Sequence, residues 1–447
     1  MNHLCDIFAL GLFLCSLLLP RTAIGDQPVS LYVSADGTDS NNNCQQENQP
    51  CQTIAHALAG VTLGAPFIIK TAKGTYEIQG TLYIPKESNV TIEGGWNRSF
   101  TARSSSPAET HLITGQGGAG LPALRIYSWD VVEKTSLTLR CMTIRPSTHY
   151  AFDQAVIVIA DHAKAQLVME HVRMTGVFAP GPVLTLSAQD EGTIVATVSK
   201  TLFDHNHLSE NIIDIQSTGS MNCSLDRVRI VNNNLDAYKY GLKASSGLTE
   251  TTGATIRTTI RNSIIAATGL GISIDSRMDS QNSLHLVNST ITGNPQGELR
   301  IHAINTSSAS ASLTNCIIKD DYAPWKDIQA KREGSATASI TANHCILGDH
   351  EEISGATFSS SNGVNGDPLL TNTYHLRATS PAIDAGICGY WMTDLQGHRW
   401  YWRIAPEDDI DGDRRPGTGV VMGCDIGADE YWKFPWPMFL PAITGTH

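Results

Sequence analysis

Eight short segments of this chain repeat one pattern: an apolar residue, a spacer, an apolar residue, a spacer, a bend residue, a small or apolar residue, a spacer and a last apolar residue. The bend positions are Cys141, His171, Lys200, Arg227, Asn262, Asn288, Asn315 and His344, and subtraction gives gaps of 30, 29, 27, 35, 26, 27 and 29 residues. A period of this size marks a solenoid, in which each repeat buries its apolar face against its neighbours.

The pattern also sets the secondary structure. Two residues before the bend stand Leu139, Met169, Val198, Leu225, Ile260, Leu286, Leu313 and Ala342; three after it stand Ile144, Met174, Phe203, Ile230, Ile265, Ile291, Ile318 and Leu347. Alternation of period two means strands with one buried face. The inward set changes parity across the bend, which a corner in left-handed conformation allows and a straight strand does not. Asn tolerates that conformation best after Gly, and stacked corners would set Asn262, Asn288 and Asn315 above one another as an internal amide ladder.

With those segments in view, "VNSTITGN" (287–294) and "RNSIIAATG" (261–269) resemble the repeat of the right-handed parallel β-helix proteins of the pectin-lyase-like superfamily. The expected fold is therefore all-β, a right-handed parallel β-helix with an N-terminal helical cap and a C-terminal capping module. Helical solenoids fit poorly, because the segments are β-branched and carry no apolar stripe of period 3.6.

Residues 7–19 form an apolar run followed by Pro20, Arg21 and the small-residue pattern Ala23-Ile24-Gly25, which reads as a secretory signal over 1–25 cut before Asp26. No later segment is apolar enough to span a bilayer. A net charge of −12 disfavours nucleic acid and anionic membrane as partners. Ten cysteines less Cys5 and Cys15 leave eight, in keeping with an oxidising destination. Cys44 and Cys51 flank a short polar loop, and Cys388 and Cys424 bracket a Trp-rich charged segment. Both pairs are expected disulfides. Cys316 and Cys345 fall at equivalent places on successive repeats and read as stacked buried thiols, with Cys141 and Cys223 as similar core residues.

Residues 26–110 read as the N-terminal cap and first coils, with a short helix near Thr53 to Ala59 closing the open end. Residues 111–350 hold the repeats. The Ser-Ala-Asp-Gly opening, the Cys-Gln-Thr-Ile-Ala-x-Ala-Leu helix and Gly94-Gly95-Trp96 resemble the entry region of secreted bacterial β-helix proteins. Over 351–432, "GDPLL", "YHL", "SPAIDAG", "DIDGDRRP" and "CDIGADEY" are similar, in that order, to the C-terminal module of choice-of-anchor Q proteins, which implies a secreted or surface-attached location without implying a reaction. An apolar, aromatic tail over 433–447 follows.

Chemistry is sought on a second strand that recurs after each bend. With Ile215, Ala244, Ile274 and Ile301 inward, Asp214, Lys243, Ser273 and Arg300 point outward in one column, and Gln216, Ser245, Asp275 and His302 in the next. The superfamily resemblance implies a polysaccharide groove on such a face, for sugar binding or for elimination with Lys243 or Arg300 as base. Asp214, Lys243, Asp275, Arg300 and His302 are the catalytic candidates, weighed against a plain ladder of opposite charges. Asp214 and Asp275 stand two coils apart, roughly 10 Å, too far to share one calcium ion directly. Asp204 to His207 is the nearest polar cluster for a hydrolase and reads first as turn chemistry.

Glu407 to Asp413 matches a calcium loop only weakly, since Thr418 stands where a bidentate Glu belongs, and Asp411, Arg414 and Asp425 are expected to bond each other and the backbone. No cofactor or metal is otherwise expected. The reading is a monomeric, secreted or cell-surface β-helix scaffold that binds extracellular polysaccharide or another cell-surface component. The alternative is a polysaccharide lyase or glycoside hydrolase acting on the outer strand face.

Overall fold

The computed structural model describes residues 27–114, 121–129, 134–147, 154–247, 253–320, 325–394, 396–416 and 423–431. Every ladder between named strands is parallel except one C-terminal hairpin, and the chain winds into a parallel β-helix. Each coil has three faces. Ser220–Asp226 and Thr255–Arg261 exemplify the first, Arg229–Val231 and Ile264–Ala266 the second, and Ile213–Ser217 and Tyr240–Ser246 the third. First and second faces form a continuous 20-stranded sheet, and the third is a separate sheet of ten strands. The expected signal segment over 1–25 and the tail over 433–447 lie outside the described residues.

The bend makes the coil. All eight bend residues have φ between 45° and 55°, so a single left-handed residue turns the chain between the first and second faces. The register stacks Leu139, Met169, Val198, Leu225, Ile260, Leu286, Leu313 and Ala342 in one column, each at most 5% exposed. Parallel pairing begins at Val29–Val33 and ends at Thr357–Ser361.

At the N-terminal end, helix α1 (Ile54–Ala59) buries Ile54, Ala57 and Leu58 against the first strands. Its cap is Thr53, whose hydroxyl accepts from the His56 amide at 3.1 Å and donates to Asp39 at 2.7 Å. The Cys44–Cys51 bridge closes the neighbouring loop, Cys388–Cys424 is formed as expected, and the thiols of Cys141, Cys223, Cys316 and Cys345 are free and buried. The Cys316 amide donates to the Cys345 sulfur at 3.4 Å, consistent with stacking on successive coils.

After Ser361 the chain doubles back as a strap along the outside of the bend column. The three corner asparagines point into this strap. Asn262 donates to the Asp408 carbonyl at 2.7 Å and Asn288 to the Asp425 carbonyl at 3.1 Å. Only Asn315 reaches the next coil, donating to Asn288 at 3.2 Å, and it also donates to the Ile387 carbonyl at 2.8 Å. A left-handed corner residue turns its side chain outward, so the expected internal ladder is instead a row of sockets for the strap.

The internal amide column stands at the next corner, between the second and third faces. Asn206 donates to Asn233 at 2.9 Å, and the Val177, Asn206 and Thr268 amides donate to the side-chain oxygens of Asn206, Asn233 and Asn294 respectively. The strap's own anchor also differs from expectation. Arg415, not Arg414, is the enclosed cation, bonded to Glu430 at 2.6 Å and to the Gly427 and Ala428 carbonyls, while Arg414 lies exposed beside Glu407. Asp425 accepts the Asp384 and Tyr431 amides.

Candidate functional site

The outer side of the third face carries a mixed polar surface along ten strands, and the register defines its columns. One runs Tyr83, Arg125, Ile157, Thr185, Asp214, Lys243, Ser273, Arg300, Gln329. The next holds Tyr127, Ile159, Ser187, Gln216, Ser245, Asp275, His302 and Lys331. All five catalytic candidates thus share one strip, because inward Ile215, Ala244, Ile274 and Ile301 force their neighbours outward. Ten strands at 4.8 Å spacing make the strip roughly 40 Å long.

The middle of the strip is recessed. Asp214 is only 7% exposed and Ser273 is fully covered, although both point outward. Burial raises the Asp214 carboxyl above its ordinary range, against hydrogen bonds from Gln216 at 2.7 Å and Asn211 at 3.3 Å and the charge of Lys243. The Lys243 ammonium lies 5.8 Å from the Tyr240 ring centroid. Farther along, His302 faces Glu333 at 3.2 Å, and Glu333 also takes Lys331 at 2.6 Å. Burial lowers the His302 imidazole despite Asp275 and Glu333.

Two features bear on binding. Within the first column, Arg125 Nε, Thr185 Oγ1, Ser273 Oγ and Arg300 Nε are buried and have no hydrogen-bond partner among the described residues. A ligand could supply the missing partners once the covering side chains shift, and an unsatisfied buried polar group costs about 1–3 kcal/mol, which favours that exchange. At the N-terminal end of the strip, Tyr83 and Trp129 are more than half exposed, Trp129 meets Tyr127 edge-on at 5.3 Å, and Lys86 and Arg125 lie over the Trp129 and Tyr127 rings. This aromatic platform was absent from the sequence-based candidates. It was readable in the alternation, because inward Leu124 and Ile126 place Arg125, Tyr127 and Trp129 outward.

The other sequence candidates are structural. Asp204 is nearly buried, with Arg173 on both carboxylate oxygens at 3.0 and 2.6 Å and His205 at 2.9 Å. Burial opposes its ionisation, but the Arg173 and His205 hydrogen bonds prevail and hold its carboxyl below the ordinary range. Asn206 points into the core column, and His207 stacks on Phe178 at 5.0 Å. In the Glu407 to Asp413 loop, Asp409 accepts the amides of Asp411, Gly412, Asp413 and Glu430, and Asp411 pairs with Arg229 and His375. His375, Asp411 and Asp429 lie within 4.8 Å of one another, but the guanidinium of Arg229 already neutralises this group and does not fit a calcium shell.

No protein-family model matches the chain, and no curated protein is similar to it in sequence. Among solved structures, a rhamnogalacturonan lyase superposes with a TM-score of 0.47 at 11% identity, covering 75% of this chain and 87% of the lyase. The pectate lyase Pel9A gives 0.37 at 14% identity, covering 91% and 97%. A GH136 lacto-N-biosidase from Eubacterium ramulus gives 0.38 at 9% identity, covering 75% and 67%. Likeness at this level carries no statement about ligand or reaction. Among the described residues no helix is long and apolar enough to cross a membrane.

Proposed function

We propose that the protein is a secreted or surface-attached β-helix that binds an extracellular polysaccharide along the outer strip of its third face. The observation that carries this reading is the column of unpartnered polar atoms at Arg125, Thr185, Ser273 and Arg300. Sugar hydroxyls both donate and accept, so they suit this mixture of hydroxyl and guanidinium groups. Atoms spread over seven successive coils, from Arg125 to Arg300, suit an extended polymer lying along the axis better than a compact ligand. The Tyr83, Tyr127 and Trp129 platform offers ring faces to the apolar side of sugar rings at one end. The apolar segment over 7–19, the two disulfides and the resemblance of residues 351–432 to choice-of-anchor Q modules support a location outside the cell.

The test is a panel of acidic and neutral polysaccharides, read both for binding and for released reducing ends or unsaturated products, with and without calcium. A binder gives retention without turnover, and Trp129→Ala and Arg300→Ala each weaken retention by about tenfold, the equivalent of 1.4 kcal/mol. Absence of retention across the panel refutes the reading. Turnover abolished by Lys243→Ala or Arg300→Ala, with the fold intact, assigns the same strip to a lyase or hydrolase.

A further inference from the structure

Two large rings stand exposed on the rim where the chain enters the third face, outside the columns of the strip. Tyr238 precedes the strand Tyr240–Ser246 by two residues and is 64% exposed; Trp325 precedes Ile328–Gly334 by three and is 50% exposed. Those strands are three steps apart in the ten-stranded sheet, about 14 Å, yet the rings meet edge-on with their centroids 6.4 Å apart. The two loops therefore lean towards each other over the intervening coils.

Hydrogen bonds and ion pairs fix that lean. Tyr238 holds φ 66°, and its amide donates to the side chain of Gln296, on an intervening coil, at 2.7 Å. The residues beside the rings are tied as well, Lys239 to Glu210 and Lys326 to Asp349, each at 2.9 Å. Rings held in water forgo the stabilisation that burial would give them, and a pair fixed in this way is preorganised for contact with a ligand.

We infer that Tyr238 and Trp325 form a second sugar-contact platform for the polysaccharide of the third face, so that the ligand recognised is a long chain touching both platforms and not a short oligosaccharide. The inference rests on the third-face reading. Trp129 closes its strand, Leu124–Trp129, whereas the rim pair precedes its strands, so the two platforms lie on opposite long edges of the strip. The pair is carried by coils four and seven steps beyond that of Trp129, roughly 19–34 Å along the axis. A chain touching both crosses the strip obliquely through its recessed middle. The size of the pair argues against a protein partner, because two rings are a small part of the roughly 800 Å² per side that a specific protein interface buries. The hydrogen-bonding groups at its border, Gln296 and the two ion pairs, suit the hydroxyls around a sugar ring. Two contacts on one chain act as linked sites, so affinity rises steeply once the chain spans both.

The experiment takes the polysaccharide that the full chain retains, cuts it by partial acid hydrolysis into fractions shorter and longer than the span between the platforms, and measures the affinity for each. The long fraction should bind at least about tenfold more tightly than the short one, and Tyr238→Ala/Trp325→Ala should abolish that gain. Tyr238→Phe/Trp325→Phe, which keeps an aromatic ring at both positions, should restore most of it. With the long fraction bound, oxidative footprinting should show Trp325 protected several-fold. Equal affinity for the two fractions overturns the inference, as does a gain that survives the alanine variant or a Trp325 that stays fully reactive in the complex. Each of these outcomes leaves retention, and with it the third-face reading, in place, whereas absence of retention across the polysaccharide panel overturns both.

Discussion

A carboxyl group enclosed as completely as Glu298 changes how the whole molecule responds to pH. Its side chain has no solvent exposure, and among the described residues its hydrogen bonds are with Asn294, whose amide donates to it at 3.0 Å and whose side chain also bonds it. Burial pushes its pKa up to about 8, and Asp327, at the same register one coil on, is pushed to about 6. The raised folded values mean that the native state holds protons the unfolded chain has released. Stability is therefore full below the ordinary carboxylate range and falls as pH rises towards 8, levelling off above it. Denaturation midpoints should drop between pH 5 and pH 8.5, and Glu298→Gln should remove the part of that slope nearest pH 8, while Glu430, raised by burial to about 7, and Asp425, raised to about 6, add to it at lower pH. A midpoint that rises over this interval would contradict the assignment. Asp204 works in the opposite sense, because the Arg173 pair lowers its pKa and its contribution is lost only as pH falls through the folded value.

Among the elements, the corner is the most economical to test. Lys200 adopts φ 47° with an unbranched charged side chain, a conformation that Asn tolerates better. Lys200→Asn should stabilise the protein by a few tenths to about 1 kcal/mol in thermal or denaturant melts. Ile291→Asp, two residues past the Ser289 of the Asn288 corner, should instead cost about 4 kcal/mol or more, since it introduces an unpaired charge at a fully buried position. These corners and the third-face columns were legible in the sequence because both follow from period-two alternation interrupted once per coil. The direction of Asn262, Asn288 and Asn315 was not, because their partners lie 72 to 146 residues away and no local pattern carries that pairing. The true amide column at Asn206, Asn233 and Asn294 stands six residues after the bends Lys200, Arg227 and Asn288, but Val177 and Thr268 hold the equivalent place after His171 and Asn262, so no unbroken run of Asn marks it. The candidate strip was located by parity alone, whereas its recess and its unpartnered atoms depend on neighbouring coils.

At the scale of the whole molecule, the strap couples coils that a solenoid otherwise leaves in contact only with their neighbours. It bonds to Asn262, Asn288 and Asn315, pairs with Arg227 and Arg229, and buries Ile317 and Ile346 against Leu376, Ala382 and Ile426. Cys388→Ala/Cys424→Ala opens a loop of 36 residues, for which chain entropy alone predicts a loss of about 3–4 kcal/mol. Hydrogen exchange should then accelerate from Thr255–Arg261 through Ser308–Thr314 and remain unchanged at Val156–Asp161. Uniform acceleration along the whole helix would show that the strap does not act locally. The strap is also the last described part of the chain to be synthesised. Coils can stack as they emerge, but the Asn262 amide must wait for Asp408, 146 residues later, on the order of ten to thirty seconds at ordinary elongation rates. Throughout that interval the corner is a nearly finished surface still dressed in water, and a chain released early would keep it so.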